Sequence, residues 1–221
     1  MKKVVFLFLA AVFTASFAQA QIAFGVRAGV SYTGNGQYGG IFDDDKTFPK
    51  IGFHIGGVAE FELSNALSIQ PGLLLATQGD KVVKKATVGS LFGGNASASI
   101  KNKVNMTYIQ IPVNVQYKIT SGMGDLLIHL GPYFGYAISG KIKNESTLNG
   151  KTEKETKDIT FGDGYDYKPL DFGLGTGISL GSENYRARIE FNHSLTNISN
   201  VSTFTARNWS FVVGMTYLFG K

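Results

Sequence analysis

Few residues in this chain have types and spacing that suit proton transfer or nucleophilic attack, and the strongest pair is His193 and Ser194 in EFNHSLTN, residues 190–197. A histidine that activates a serine must share a proton with it, so both side chains must reach the same side of the backbone. The segment alternates in polarity like a β-strand, in which adjacent residues point to opposite faces. Ser194 has Asn192 and Thr196 on its own face, and neither is a base. The sequence therefore argues against catalysis at this pair.

A metal or proton-transfer site is the second candidate, because His54 and His129 fall on the same strand phase as Glu60 and Glu62. Imidazole and carboxylate together suit a divalent metal, but the spacing matches no known ligand pattern. The chain contains no cysteine, which excludes thiol catalysis and thiolate metal sites. We expect two interior histidines, no metal and no cofactor.

The glycine-rich segment GLGTG, residues 173–177, is only superficially similar to a nucleotide-binding loop. A phosphate-binding loop of that kind needs a preceding strand and a following helix, and neither the helix nor its context is present. The glycines recur at every second position, which indicates one crowded face of a strand.

Alternation of period two runs through the whole chain and is clearest in YIQIPVNVQYKI, residues 108–119. Its odd-numbered positions carry isoleucine, valine and one tyrosine, Tyr117. Its even-numbered positions carry glutamine, asparagine and lysine together with Tyr108 and Pro112. This pattern indicates a strand with two different environments. Similar patterns predict eight strands, at 22–32, 51–63, 67–77, 106–119, 126–139, 170–180, 185–195 and 209–219.

The connections between these strands alternate strictly between short and long. The short ones are 64–66, 120–124 and 181–184, and the long ones are 33–49, 81–105, 140–168 and 197–207. Bacterial outer-membrane barrels have this layout, with tight periplasmic turns and longer outer loops. An even number of strands then places both termini in the periplasm.

The composition of the two faces decides which one is interior. A water-soluble barrel of this size would fill its interior with its large apolar side chains. Here small residues and balanced charges share one face, which fits a narrow polar lumen, and the apolar face then meets lipid. We therefore predict an all-β fold, an eight-stranded antiparallel up-and-down transmembrane β-barrel. Its predicted lumenal charge network has a structural role and comprises Arg27, Glu60, Glu62, Lys118, Asp171, Arg186, Arg188 and Glu190.

Three prolines and two charged loops qualify this prediction. Pro71, Pro112 and Pro132 lie inside predicted strands and lack a ladder donor, so we expect β-bulges there and a possible change of facing beyond them. The loops 81–103 and 141–161 contain strand-like runs around Gly93-Gly94 and Asn149-Gly150, and the second is a strong hairpin signal. We expect both to extend their strands as hairpins above the membrane, with disorder as the alternative.

The first 20 residues, MKKVVFLFLAAVFTASFAQA, have the three parts of a secretory signal peptide. Lys2 and Lys3 precede an apolar run, and Ala18-Gln19-Ala20 forms a small-residue cleavage site. The alternative is an uncleaved anchor, for which the apolar run is short. We predict a signal peptide at 1–20 and a barrel domain at 21–221.

The barrel domain contains 19 basic and 16 acidic residues. Its net charge is too small to imply a nucleic-acid partner.

The segments YIQIPVNVQYKI, HLGPYFGYAISGK, DFGLGTGISL and FVVGMTYLF together resemble the PorT-like outer-membrane β-barrel domain of Gram-negative bacteria. The resemblance covers essentially the whole chain after the signal and implies an eight-stranded barrel of the OmpA/OmpX type. The namesake of that family assists a machine for protein secretion and gliding, so secretion-machine proteins are implied as possible partners. The alternation ending at Phe219 suits recognition by the barrel-assembly machinery, although Gly220-Lys221 follow the terminal aromatic residue.

The function predicted from the sequence is structural or interaction-based, in a monomer whose long outer loops are the working surface. Eight strands leave no room for an open aqueous channel. The lumenal charges could form a gate or a plug, but we expect a structural role, because buried charges require partners in a narrow interior. Outer-membrane lipid and lipopolysaccharide are the expected surroundings. The basic loop bearing Lys81, Lys84, Lys85, Lys101 and Lys103 could either meet lipopolysaccharide phosphates or form a solvated hairpin. The alternatives are a PorT-like secretion accessory and a lipid A-modifying enzyme.

Overall fold

The computed structural model describes residues 21–38, 46–89, 95–122, 124–148, 151–162, 166–201 and 205–220. The predicted signal peptide lies outside these residues. The described part contains no helix that is long and apolar enough to cross a membrane. Its strands are β1 (Ile22–Tyr38), β2 (Lys46–Glu62), β3 (Leu67–Gln78), β4 (Asp80–Gly89), β5 (Asn95–Ser121), β6 (Gly124–Leu148), β7 (Lys151–Asp158), β8 (Leu170–Gly181), β9 (Tyr185–Ser194) and β10 (Thr205–Leu218).

Eight of these strands form a closed antiparallel ring in the order β1-β2-β3-β5-β6-β8-β9-β10. The ring closes where β10 pairs with β1, from Gly25 opposite Leu218 to Tyr38 opposite Thr205. The predicted all-β, eight-stranded antiparallel barrel is therefore confirmed. The connections 63–66, 122–123 and 182–184 are short and lie at one end of the ring, which we call the short-turn end. The opposite end is the long-loop end.

Most large apolar residues of the eight predicted strands point outward, and most inward residues are polar or small; Leu74, Leu127 and Val212 are buried exceptions. On β1, Phe24 is 65% exposed whereas Arg27 is 1% exposed. On β5, Ile111 is exposed and the neighbouring Pro112 and Asn114 are buried. The interior of the ring at this level is consequently polar, and the predicted facing is confirmed.

The expectation of bulges at the three strand prolines is wrong. On β3 and β5, Pro71 pairs with Val113 in the same register as the pairs on both sides of it. The registers through Pro112 and Pro132 are likewise unchanged, so each proline gives up a ladder donor without adding a residue. The register shifts instead between Thr107 and Tyr108, where β6 has an extra residue at Ile138.

The two predicted hairpins are present at the long-loop end, so the prediction of strand extension is confirmed. β4 follows β3 after Gly79 and pairs with β5 from Lys81–Lys103 up to Gly89–Asn95. β7 pairs with β6 from Lys141–Asp158 up to Leu148–Lys151. The connections at this end are correspondingly shorter than the sequence suggested, because β1 continues to Tyr38.

Irregular segments fold across the long-loop end and enclose a small apolar core. Ile159 donates its N–H to the Gly140 carbonyl at 2.9 Å, and Ile198 donates to the Ala206 carbonyl at 2.9 Å. These bonds hold both isoleucines over the ring, where Ile198 is completely buried. We call this group the apolar cap, and it comprises Val104, Met106, Tyr108, Ala137, Ile159, Ile198 and Ala206.

Candidate functional site: the lumenal network and its cap

The part of the lumen toward the short-turn end is organised around Glu60, which lies on β2 and is 1% exposed. Arg186 donates two hydrogen bonds to it, Nη1 to Oε2 at 2.5 Å and Nη2 to Oε1 at 3.0 Å. Gln70 on β3 donates Nε2 to the same carboxylate at 2.8 Å and accepts a hydrogen bond from Arg27 through Oε1. A buried carboxylate requires such partners, because an unpaired charge is costly in a region of low dielectric constant.

A second carboxylate, Glu190, continues the network toward the long-loop end. Arg188 donates Nη2 to Glu190 Oε2 at 2.7 Å, and Asn192 donates Nδ2 to Oε1 at 2.9 Å. The Nε2 atom of His129 lies 3.3 Å from Oε2. Arg188 also donates Nη1 to Gln70 Oε1 at 3.4 Å, which joins the two carboxylate groups into one network.

Asp171 forms a separate cluster directly below the apolar cap. Ser194 donates Oγ to Asp171 Oδ1 at 2.5 Å, and Asn208 donates Nδ2 to Oδ2 at 2.8 Å. Asn208 also donates to the Tyr108 hydroxyl at 3.3 Å, and the ring of Tyr108 belongs to the apolar cap. The polar lumen and the cap are thus linked through one asparagine.

The structure brings together five of the eight residues predicted for the charge network: Arg27, Glu60, Arg186, Arg188 and Glu190. Asp171 belongs to the separate upper cluster. Glu62 and Lys118 are half-buried near the short-turn end, where Glu62 pairs with Ser68 across β2 and β3. The sequence reasoning missed Gln70 and Asn192, although each is a polar residue on the lumenal phase of its strand.

The candidate catalytic and metal-binding residues are placed as follows. Ser194 faces the lumen and is buried, whereas His193 faces outward and stacks on Phe191 with ring centroids 6.4 Å apart. The two side chains therefore lie on opposite faces, as the sequence predicts.

His54 is buried and lines a lumenal cavity of about 20 Å³, a volume that holds about one water molecule. Among the described residues, no three histidine, aspartate or glutamate side chains are grouped to hold a metal.

A family model described as "Outer membrane protein beta-barrel domain" matches residues 17–200 of the chain. The chain belongs to this family. It is therefore an outer-membrane protein, and the ring described above is a transmembrane barrel. No curated protein matches the sequence.

Several solved outer-membrane proteins are similar to this barrel at low identity. Neisserial surface protein A (NspA) is 13% identical, with 89% of this chain and 98% of that chain covered and a TM-score of 0.35. Ail, the attachment invasion locus protein of Yersinia pestis, is 12% identical, with 88% and 98% covered and a TM-score of 0.35. OprG of Pseudomonas aeruginosa is 12% identical, with 91% and 98% covered and a TM-score of 0.35.

The outward apolar surface of the barrel is bordered by aromatic residues at both ends. Tyr185 and Tyr217 lie 4.7 Å apart, centroid to centroid, near the short-turn end. Tyr32 and Trp209 form an edge-to-face pair at 6.1 Å toward the long-loop end. Phe24 and Tyr32 are separated by about 27 Å along β1, which a strand tilt of about 40° reduces to about 20 Å of height. Aromatic girdles on both sides of an apolar band are typical of a barrel in an outer membrane.

The long-loop end lies outside this apolar belt and has its own electrostatics. Lys103 donates a hydrogen bond to Glu145 Oε1 at 3.1 Å, which lowers the pKa of that carboxyl. Burial raises the pKa of Asp80 to about 6. Burial also raises the pKa of Tyr167 to about 12, to which the charge of Asp80 contributes. This end of the barrel therefore combines buried titratable groups with exposed charged strands.

Proposed function

We propose that the protein is a closed outer-membrane barrel without enzymatic activity, and that it works through the surface of its long-loop end. The observation that carries this proposal is the filled interior. The network around Glu60 and Glu190 crosses the lumen, and the apolar cap with the fully buried Ile198 closes it above. Two successive barriers of this kind favour a plug and a scaffold over a conducting pore.

The lumenal charges serve the plug as structural partners of one another. Glu60 and Glu190 each accept hydrogen bonds from an arginine, and Gln70 lies between the two pairs. Opening a pore through this network would leave charges unpaired in a region that excludes water, which is strongly unfavourable. A structural role for the predicted network is therefore part of this proposal.

Conductance of the purified barrel in planar lipid bilayers tests whether it is closed. We expect no steady ion current from the folded wild-type chain. The variant Glu60→Ala/Arg186→Ala removes the Glu60–Arg186 pair and should also carry no steady current, because the apolar cap still closes the barrel above it. A steady ohmic current through the wild-type barrel would contradict the proposal.

The proposed orientation places both ends of the barrel domain and the short turns in the periplasm, after signal cleavage near Ala20. The β10 strand is then the segment that the barrel-assembly machinery recognises, and the inserted protein is a monomer. An epitope inserted between β6 and β7 should be accessible to antibody on intact cells. The same epitope in the turn at 64–66 should become accessible only after the outer membrane is opened. The reverse pattern would invert the orientation.

Two narrower functions remain as alternatives. A PorT-like role as a secretion-machine accessory rests on the sequence resemblance, and intact secretion in a deletion strain would argue against it. A lipid A-modifying activity is not supported at the candidate pair, because His193 faces lipid and Ser194 faces the lumen. Mass spectrometry of lipid A from the deletion strain should show an unchanged acyl pattern.

A further inference from the structure

Lysines are aligned across three neighbouring strands at the long-loop end. Lys81 on β4 pairs with Lys103 on β5, and Lys103 pairs with Lys143 on β6. Like charges directly opposite one another in a sheet are destabilising unless a counter-charge joins them. The same face carries further charged residues in the adjoining rows, and together these form the lysine surface: Lys81, Lys101, Lys103, Lys141, Lys143 and Lys154, with the acids Glu145 and Asp158.

The lysine surface points outward from the barrel. Val82 and Val104, which alternate with Lys81 and Lys103, are buried, and Val104 belongs to the apolar cap. The lysine-bearing positions therefore face away from the cap. On β7 the opposite face is electrically balanced, since it carries Lys151 and Lys157 with Glu153 and Glu155. The lysine face of β7 is balanced as well, with Lys154 and Asp158, so the excess charge of the lysine surface comes from its lysines on β4, β5 and β6.

The two acids of the surface neutralise only part of its charge. Glu145 accepts a hydrogen bond from Lys103, and Asp158 lies 3.9 Å from Lys141. The excess charge also affects Lys50 on β2. Burial is the main cause that lowers the pKa of Lys50, and the charges of Lys143 and Lys103 lower it further. An anion placed against this face would relieve that repulsion.

The height of the surface determines which anion can reach it. Ile138 on β6 is exposed and belongs to the lipid-facing belt, and Lys141 follows three residues later. Three residues of strand correspond to about 10 Å, so the first lysine of the surface lies just above the hydrocarbon. Lipid phosphate groups occupy that level, and a lysine near a membrane surface contributes appreciably to the binding of anionic lipids.

We propose that the lysine surface binds the phosphate groups of the phosphorylated glycolipid of the outer leaflet, the lipid A portion of lipopolysaccharide. This inference rests on the proposed orientation, which places the long-loop end outside the cell. The contacts are charge-based and laterally directed, so the ligand approaches along the membrane plane. Such lipid would form a ring segment around the β4–β7 side of the barrel.

Native mass spectrometry of the full folded chain in detergent, titrated with bisphosphorylated lipid A, tests the proposal. We expect the double variant Lys103→Gln/Lys143→Gln to bind lipid A about tenfold to thirtyfold more weakly than wild type. The matched control is Lys151→Gln/Lys157→Gln, which removes the same charge from the other face of the hairpin. Each double variant also breaks one ion pair, Lys103–Glu145 or Lys157–Asp166. The control should stay within about twofold of wild type.

Three further comparisons complete the test. Fully dephosphorylated lipid A should bind equally weakly to all variants, and inorganic phosphate at the same concentration should not compete with bisphosphorylated lipid A. Lys103→Arg/Lys143→Arg should retain binding, and heat-modifiable gel migration establishes that each barrel is folded. Equal losses in the two glutamine variants, or phosphate-independent binding, would overturn the inference. A conducting wild-type barrel or a reversed epitope pattern would instead overturn the proposed function, since neither experiment depends on lipid A affinity.

Discussion

Strand β5 crosses two regions of the molecule with opposite distributions of polarity. Between residues 109 and 119 its apolar side chains point outward to lipid, and its polar ones point into the lumen. Between residues 101 and 106 the arrangement is reversed, with Lys101 and Lys103 outward and Val104 and Met106 buried in the apolar cap. The alternation of period two continues through both regions.

This reversal shows that the period of a strand and the polarity of its faces are independent pieces of information. The backbone requires only that neighbouring side chains diverge. The surrounding medium then determines which face is apolar, because lipid on the outside favours a polar interior and water on the outside favours an apolar one. A single barrel can therefore contain a polar core, surrounded by lipid, and an apolar core, surrounded by water, one above the other along its axis.

The largest difference between the two cores should follow removal of a charge from the polar one. Glu60→Ala leaves Arg186 and Gln70 without their acceptor and should lower the free energy of unfolding by about 3–5 kcal/mol. Guanidinium titration of the folded barrel in detergent, followed through the single tryptophan, Trp209, measures the change. The exposed Glu155→Ala is the control and should alter stability by about 0.5 kcal/mol at most. Replacing both partners, Glu60→Met/Arg186→Met, should restore much of the loss.

The second prediction compares two isoleucines of similar exposure in different media. Ile178 on β8 is 48% exposed within the lipid-facing belt, and Ile100 on β5 is 44% exposed at the long-loop end. Ile178→Arg should cost about 2–4 kcal/mol when stability is measured in a bilayer, because the charge must enter hydrocarbon. Ile100→Arg should cost about 0.5 kcal/mol or less. Similar costs at both positions would contradict the placement of the membrane.

Truncation in the apolar cap should have a smaller effect. Ile198→Ala removes a fully buried side chain and should lower the unfolding free energy by about 2–3 kcal/mol. The value lies at the low end for a buried isoleucine because the irregular segments around it can close onto part of the space. Val201→Ala, in the same segment but 57% exposed, should change stability by less than about 0.5 kcal/mol. If both variants behaved alike, the cap would not be a packed core.

The smallest effect concerns pH. Burial raises the pKa of Asp80 from 3.8 to about 6, so its neutral form is favoured in the folded state. The associated stabilisation is complete below about pH 4 and is lost as the pH rises through about 6, an effect of order 1–3 kcal/mol. Asp80→Asn should lack this pH-dependent stabilisation. The unfolding free energies of wild type and variant are measured at pH 4 and at pH 7, and the change in their difference between the two pH values gives the contribution of Asp80. An equal pH dependence in Asp80→Asn would assign the effect to other groups.

The sequence predicted the facing of the membrane-spanning strands because two media impose opposite requirements on alternate residues. That requirement persists through a proline, since Leu73 continues the outward phase set before Pro71. A proline gives up a single donor without changing the residue count, which is why the expected bulges are not found at these positions. The apolar residues keep the same phase before and after each proline, and this alone indicates that no bulge is present.

The partners within the lumen could not be predicted in the same way. Which residues meet across the barrel depends on strand tilt and stagger, and period-two patterns do not encode these quantities. Gln70 therefore enters the network while Asp171, on the same lumenal phase, joins a different cluster. The apolar cap is formed partly by irregular segments such as 195–201, which have no periodic pattern to read.

The pairing of β1 with β10 has a consequence for how the chain is made. The first and last strands of the ring meet along fourteen residue pairs, from Gly25–Leu218 to Tyr38–Thr205, so this seam needs contacts between the two extremes of the barrel domain. Long-range contacts of this kind form late and fold slowly. Until β10 pairs with β1, each of these strands leaves a row of unpaired backbone donors and acceptors at an edge of the sheet, so the barrel cannot close before its last strand is in place.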